Sequence, residues 1–147
     1  MSYLLDDAAV FTGDTLFVDS VGRTELQFGD ADADAGARLL YESLHGTLLA
    51  EPDSVAVLPG HFSVGADGTT DVTPGEPVST TIGRVRNELE LLTVDRETFV
   101  RRLTAALPEK PPNYERIIDI NTGRDAADEE ATTELELGPN NCAATGG

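Results

Sequence analysis

Few side chains in this 147-residue chain can move protons or hold a metal at neutral pH: two histidines, His45 and His61, one cysteine, Cys142, and the carboxylates. Two of them occupy matching places. Asp14 follows Gly13 directly after the apolar stretch Ala8-Ala9-Val10-Phe11-Thr12, and His61 follows Pro59-Gly60 after Ser54-Val55-Ala56-Val57-Leu58. Each stretch reads as a short strand, so each residue is delivered to a loop at a strand's C-terminal end. A carboxylate and an imidazole are the residue types of acid–base pairs and of metal centres. On these residues alone, Asp14 equally suits a turn or helix cap, and His61 a loop histidine bonded to backbone.

The other candidates are weaker. His45 falls within a helical repeat, where a surface or boundary position is expected, and no function is assigned to it. Arg23, between Gly22 and Thr24, could hold a loop by pairing with a carboxylate or approach an anionic substrate, and the structural role is preferred. Cys142 lies near the chain's end without a basic neighbour to lower its pKa, so a passive thiol is expected. The run Asp30, Asp32, Asp34 lacks the glycine and distal glutamate of a Ca²⁺ loop and reads as a solvated face.

The elements that must carry these residues alternate strand and helix. Tyr3-Leu4-Leu5 and Ala8 to Thr12 form two strands across a tight turn at Asp6-Asp7, followed by a second apolar piece, Thr15 to Val18. Gly22, Gly29 and the Asp-Ala repeat mark an exposed loop leading into a helix over about 35–50, where Ala37, Leu40, Tyr41, Leu44 and Leu48 recur at helical spacing. A long surface loop is expected over 63–79, then a short helix from Thr80 or Thr81. Asp95 caps another helix, which must end before Pro108. Tyr114 to Asn121 reads as a last short helix packed through Ile117, Ile118 and Ile120. The chain then turns acidic, which gives a body over 1–123 and an acidic tail over 124–147.

One cysteine excludes an intrachain disulfide and cysteine-rich zinc ribbons. Lys and Arg total 10 against 27 Asp and Glu, a net charge of −17, and a field of that sign repels phosphate backbones. Nucleic acid is therefore not an expected partner. No apolar run approaches the roughly 18 residues that span a bilayer, so a soluble, cytoplasmic protein without a membrane partner is expected. Lys110 is the only lysine. A carboxylate-rich, lysine-poor surface suits high salt, where charge is screened, and points to a halophilic, haloarchaeal source.

Several segments together carry a resemblance. Phe11-Thr12-Gly13-Asp14-Thr15-Leu16-Phe17, continued by Val21-Gly22-Arg23-Thr24-Glu25-Leu26, resembles the part of metallo-β-lactamase-fold proteins in which a strand-end Asp binds metal. Leu58-Pro59-Gly60-His61 resembles their last histidine motif. Thr81 to Leu89, Phe99 and Pro111 to Gly123 are similar to the C-terminal helices of the persulfide dioxygenase branch, close kin of the glyoxalase II thioesterases. The resemblance implies a mixed α/β (α+β) fold, the C-terminal half of an αββα sandwich, because the His-x-His-x-Asp-His loop and a further upstream histidine motif of the family do not occur. It implies Asp14 as a metal ligand and His61 as a residue beside the iron or a ligand of a second metal. The full-length parent would be an Fe²⁺-dependent persulfide dioxygenase producing sulfite. Its alternatives are a Zn²⁺ thioester hydrolase, or a non-catalytic remnant or assembly half. A half-sandwich leaves one sheet face unpaired, so a homo-oligomer or a complementing N-terminal half is expected as partner.

The charge gives a direct test. Moving from dilute buffer to molar KCl is expected to raise the melting temperature; an unchanged or lower value in a thermal denaturation series removes the halophilic reading.

Overall fold

The computed structural model describes residues 1–62, 72–73, 75–105, 107, 109–110 and 113–137. Strand β1 (Tyr3–Leu5) and strand β2 (Ala9–Gly13) form the expected antiparallel hairpin. Its turn places both Asp6 and Asp7 at positive φ, 48° and 53°, and the Ala8 N–H donates to the Leu5 carbonyl at 2.9 Å. Two left-handed central residues match the twist of a two-residue hairpin, and aspartate tolerates that conformation better than most residues.

Residues 15–22 then double back in a tight loop closed by a bridge between Leu16 and Val21. Leu16 and Phe17 are buried there without joining the sheet ladder. Helix α1 (Glu25–Phe28), a 3-10 turn over Asp30–Asp32 and helix α2 (Ala33–Gly46) follow. The exposed loop expected across 22–35 is thus corrected in two ways. Gly22 is buried against the strand end, and much of the remainder is helical because Arg23 and Glu25 turn inward together. Gly36 of α2 lies so close to α1 that a Cβ there would meet the Phe28 ring at 2.8 Å.

A 3-10 turn at Leu48–Ala50 leads to β3 (Ala56–Pro59), and β4 is the two-residue Thr80–Thr81. Most of the loop expected over 63–79 falls outside the described residues. Helices α3 (Ile82–Glu88), α4 (Glu90–Thr93), α5 (Arg96–Thr104), α6 (Tyr114–Asn121) and α7 (Glu129–Leu137) complete the chain. Thr81 caps α3, and Asp95 caps α5 by accepting the Thr98 N–H at 2.9 Å, which holds its carboxyl below the ordinary range. Arg86 of α3 binds Asp53 and the carbonyls of Leu49 and Glu51, clamping the approach to β3. The three isoleucines of α6 are only half-buried. The segment entering that helix is tethered by polar contacts: Lys110 pairs with Asp30 at 2.9 Å and lies 5.4 Å from the Tyr114 ring centre. Helix α7 lies within the acidic segment and buries Leu135. Among the described residues, no helix is long and apolar enough to cross a membrane.

The sheet order is β1-β2-β3-β4, with β2 and β3 parallel and the outer pairs antiparallel. Parallel neighbours need a long crossover, which α2 supplies. Val10 and Val57 pair on one face and are fully buried in a core with Ala37, Leu44, Ile82, Val85, Phe99 and Val100 from α2, α3 and α5. Side chains alternate along strands, so Tyr3, Leu5, Ala9, Phe11, Ala56 and Leu58 fall on the opposite face. Tyr3, Leu5 and Phe11 there are 62%, 53% and 46% exposed. Among the described residues, α2, α3 and α5 supply the core that packs on the Val10–Val57 side of the sheet.

The seam between α2 and α5 is aromatic: the Tyr41 ring stacks on His45 with centres 4.0 Å apart and meets the Phe99 edge at 5.3 Å. Among the described residues, His45 Nε2 is buried without a hydrogen-bond partner, and burial lowers the ring's pKa below 6.5. A lowered folded pKa means that the neutral ring's contribution to stability is complete above pH 6.5 and is lost as pH falls from there toward the folded value. The fall in urea midpoint from pH 7.5 to 5.5 is therefore expected to be smaller in His45→Phe than in the wild-type chain. Equal falls would show that the ring titrates alike in both states.

Candidate functional site

Because β2 and β3 run parallel, their C-terminal ends emerge at one edge of the sheet. The ladder shifts register there, pairing Gly13 with Pro59. The Gly60 N–H donates to the Gly13 carbonyl at 2.9 Å, and a Cβ on Gly60 would sit 3.2 Å from Gly13 backbone atoms. Gly13 itself has φ 52°, a left-handed conformation that favours glycine. The two chains leave the sheet in contact, and the next residue on each is a candidate: Asp14 and His61.

Their side chains meet, with His61 Nδ1 and Asp14 Oδ1 2.5 Å apart. An ionised carboxylate only accepts, so the imidazole donates through Nδ1–H and Nε2 is left to take a proton or a cation. Both side chains are about half exposed, His61 at 47% and Asp14 at 56%. Solvent reaches both side chains.

Asp14 is fixed from behind. Gly22 packs on its backbone so closely that a Cβ would lie 1.9 Å from the Asp14 carbonyl oxygen, and the Gly22 N–H donates to Thr15. Thr12 is fully buried and donates its hydroxyl to the Leu16 carbonyl at 2.6 Å, tying the loop to β2. Arg23 follows Gly22 and points into the protein: its Nε donates to Glu25 at 2.6 Å and a terminal nitrogen to the Glu109 carbonyl at 3.2 Å. With side-chain exposures of 1% and 3%, Arg23 and Glu25 form a buried ion pair that holds the loop and does not face solvent.

Sequence reasoning placed Asp14, His61 and Arg23 but not the residues that support them. Glu25, Thr12 and the contacts of Gly22 and Gly60 were missed. The available signal was the pattern Gly-Arg-Thr-Glu, with opposite charges two residues apart after a buried glycine. His45 lies in the α2–α5 seam, lining a shallow depression with Tyr41, Glu42, Gly46, Arg96 and Glu97. Asp30 is engaged by Lys110, and Cys142 lies outside the described residues.

No group of three or more histidine, cysteine or acidic side chains able to hold a metal ion occurs among the described residues. Asp14 and His61 make two donors, whereas catalytic metal sites typically use three protein ligands. The donors present therefore do not compose a full metal site.

No family model matches the chain. Uncharacterized proteins of Mycobacterium tuberculosis (strain ATCC 25618 / H37Rv) and Mycobacterium bovis are each 46% identical over 56 residues, 38% of this chain and 22% of theirs. One from Mycobacterium leprae matches equally over 23% of its length. These relatives are mycobacterial, so the haloarchaeal source expected from composition finds no support among them. Among solved structures, ETHE1 from Myxococcus xanthus superposes with a TM-score of 0.61 at 31% identity, over 82% of this chain and 46% of its own. A metallo-β-lactamase from Staphylococcus aureus gives 0.60 at 24% identity, over 78% of this chain and 31% of its own. The chain spans about a fifth of the length of its curated relatives and under half of either solved neighbour. The helices packed on one face of the sheet, the parallel β2–β3 pair and these two superpositions together show that the chain has the metallo-β-lactamase fold.

Proposed function

We propose that this chain is the C-terminal half of a metallo-β-lactamase-fold enzyme that oxidises a low-molecular-weight thiol persulfide to sulfite. The metal of that family would be Fe²⁺ in this reading, with Asp14 as its anionic ligand. The likeness to ETHE1 over 82% of the chain, together with the segments that resemble the persulfide dioxygenase branch, supports the substrate class. The observation that carries the reading is the direct bond from His61 to Asp14. An imidazole that donates to a ligating carboxylate fixes its orientation and raises the carboxylate's definition as a ligand, a role that partners of metal ligands commonly play. Iron would supply the oxygen chemistry once the remaining ligands are present. This chain's own residues hold and orient: His61 steadies Asp14, Gly22 and Gly60 fix the two backbones, and the Arg23–Glu25 pair keeps the loop in place.

In this reading the acidic, lysine-poor surface is an adaptation to high salt and the protein is cytoplasmic. In a thioester hydrolase, His61 would instead bind a second Zn²⁺.

Two donors leave an ion largely hydrated, so the 147-residue chain alone is expected to lose Fe²⁺ or Zn²⁺ on gel filtration against a chelator and to form no sulfite. Joined to an upstream half bearing the His-x-His-x-Asp-His segment, it is expected to form sulfite with O₂ uptake. In that joined protein Asp14→Ala abolishes metal-dependent turnover, and His61→Ala lowers it by about 10- to 100-fold while iron stays bound at one per chain. Anaerobic thiol release from an acyl thioester, with two zinc ions per chain falling to one in His61→Ala, would establish the hydrolase instead.

A further inference from the structure

We propose that His45 is a pH-operated catch on the α2–α5 seam: neutral, its ring closes the seam against Tyr41; protonated, it swings into the neighbouring depression and pairs with Glu42 and Glu97. The ring is the last of a row that begins at the fully buried Phe99 of α5 and passes through Tyr41, on which His45 stacks. Its Nε2 is buried with no partner among the described residues. A neutral ring tolerates that at modest cost, whereas an imidazolium carries an N–H on both nitrogens and would leave a charged donor unmet in an apolar seam. The inward position therefore suits the neutral ring alone.

Acceptors and room lie beside the ring. The depression that His45 lines is also bounded by Glu42, Gly46, Arg96 and Glu97. Gly46 puts no side chain in the ring's way, and a Cβ built on it would meet nothing within 4 Å. Glu42 and Glu97 hold Arg96 loosely, at 3.5 and 3.4 Å, and Arg38 reaches Glu97 at 3.7 Å, with all four side chains 45 to 62% exposed. Exposed pairs of this kind are worth little and yield readily to another cation. His45 also lies in the last turn of α2, where the negative end of the helix dipole favours a positive charge. The remaining charged groups of α5 are engaged elsewhere: Asp95 accepts from Thr98, Arg101 donates to the Thr98 hydroxyl, and Arg102 pairs with Glu90 of α4. The 3-10 turn Leu48–Ala50 carries no titratable side chain, and α1 meets α2 at its other end, where Phe28 lies against Gly36. The lowered pKa agrees with an inward state that is neutral, so the outward state fills as pH falls through the ring's folded value, below 6.5, and empties above it. Rotation takes the ring off Tyr41 and opens the seam at the end of α2 that leads to β3. The catch is built from α2 and α5 on the Val10–Val57 side of the sheet and needs neither Asp14 nor His61.

Proton and nitrogen NMR of the full chain from pH 8 to pH 5 tests the proposal, with amide dispersion as the sign that the chain stays folded. Loss of the nuclear Overhauser contacts between the His45 and Tyr41 rings is expected, with the Tyr41 ring signals moving at the same midpoint as the His45 ring while those of Tyr114 do not follow. Combining Glu42→Gln with Glu97→Gln is expected to move that midpoint to lower pH, and Arg96→Gln, which frees both carboxylates, to higher pH; both variants keep the ring contacts at pH 8. The wild-type measurement stands by itself if a variant fails to fold. Ring contacts that persist after His45 has titrated overturn the proposal, as does a midpoint that neither variant moves. A His45 ring that does not titrate while the amides stay dispersed, or that titrates only as dispersion is lost, overturns it too.

Discussion

Among the described residues, Glu25 is the one acidic side chain buried out of water, in a chain with 27 Asp and Glu. It is stable there because Arg23 is buried beside it; a lone carboxylate in that place would cost several kcal/mol. The pair organises its surroundings in three directions. It turns the backbone from the loop into α1, against which α2 then packs through Gly36. It pins the residue next to Gly22, and Gly22 rests on the carbonyl of Asp14. Through the Glu109 carbonyl, it also joins the first third of the chain to the segment before α6. Interchanging such an ion pair for apolar residues can be neutral for stability, but the directional bonds that link three segments have no apolar substitute.

The site inherits its geometry from that arrangement and from the parallel strand pair. Neither Asp14 nor His61 needs a rigid side-chain environment of its own, because each directly follows a glycine whose backbone is immobilised by another. Close backbone approach does the work that bulky packing does elsewhere. The consequence is a well-placed pair at the sheet's edge with each side chain about half exposed.

Local signals made much of this legible in the sequence. The hairpin was readable from two apolar runs around Asp6-Asp7, α2 from its helical spacing, α5 from its Asp95 cap and the prolines beyond, and α6 from its apolar periodicity. The failures share one cause. Gly22 and the acidic stretch after it look like solvent-exposed loop, because glycine and aspartate usually are; Gly22 is instead buried by its tertiary contact with the Asp14 backbone, while Asp30, Asp32 and Asp34 stay exposed on helical turns. The same holds at the site. Asp14 and His61 could each be placed at a strand's end, but their 2.5 Å contact rests on a register between strands that no local pattern encodes. The three isoleucines of α6 were rightly placed on a helix, yet how deeply they are buried depends on tertiary contacts that their spacing does not specify.

The parallel pairing of β2 with β3 also fixes an order of events during folding. The β1–β2 hairpin closes over two residues and forms on the microsecond scale. The contact between Asp14 and His61 spans 47 positions and must wait for the loop between them to close, a step whose entropic cost grows with length. Asp14 is synthesised before its partner, on a short hairpin that is only marginally stable until β3 joins it. The pair is thus among the last native contacts that the N-terminal half of the chain can make, and its formation reports that the crossover helix has docked.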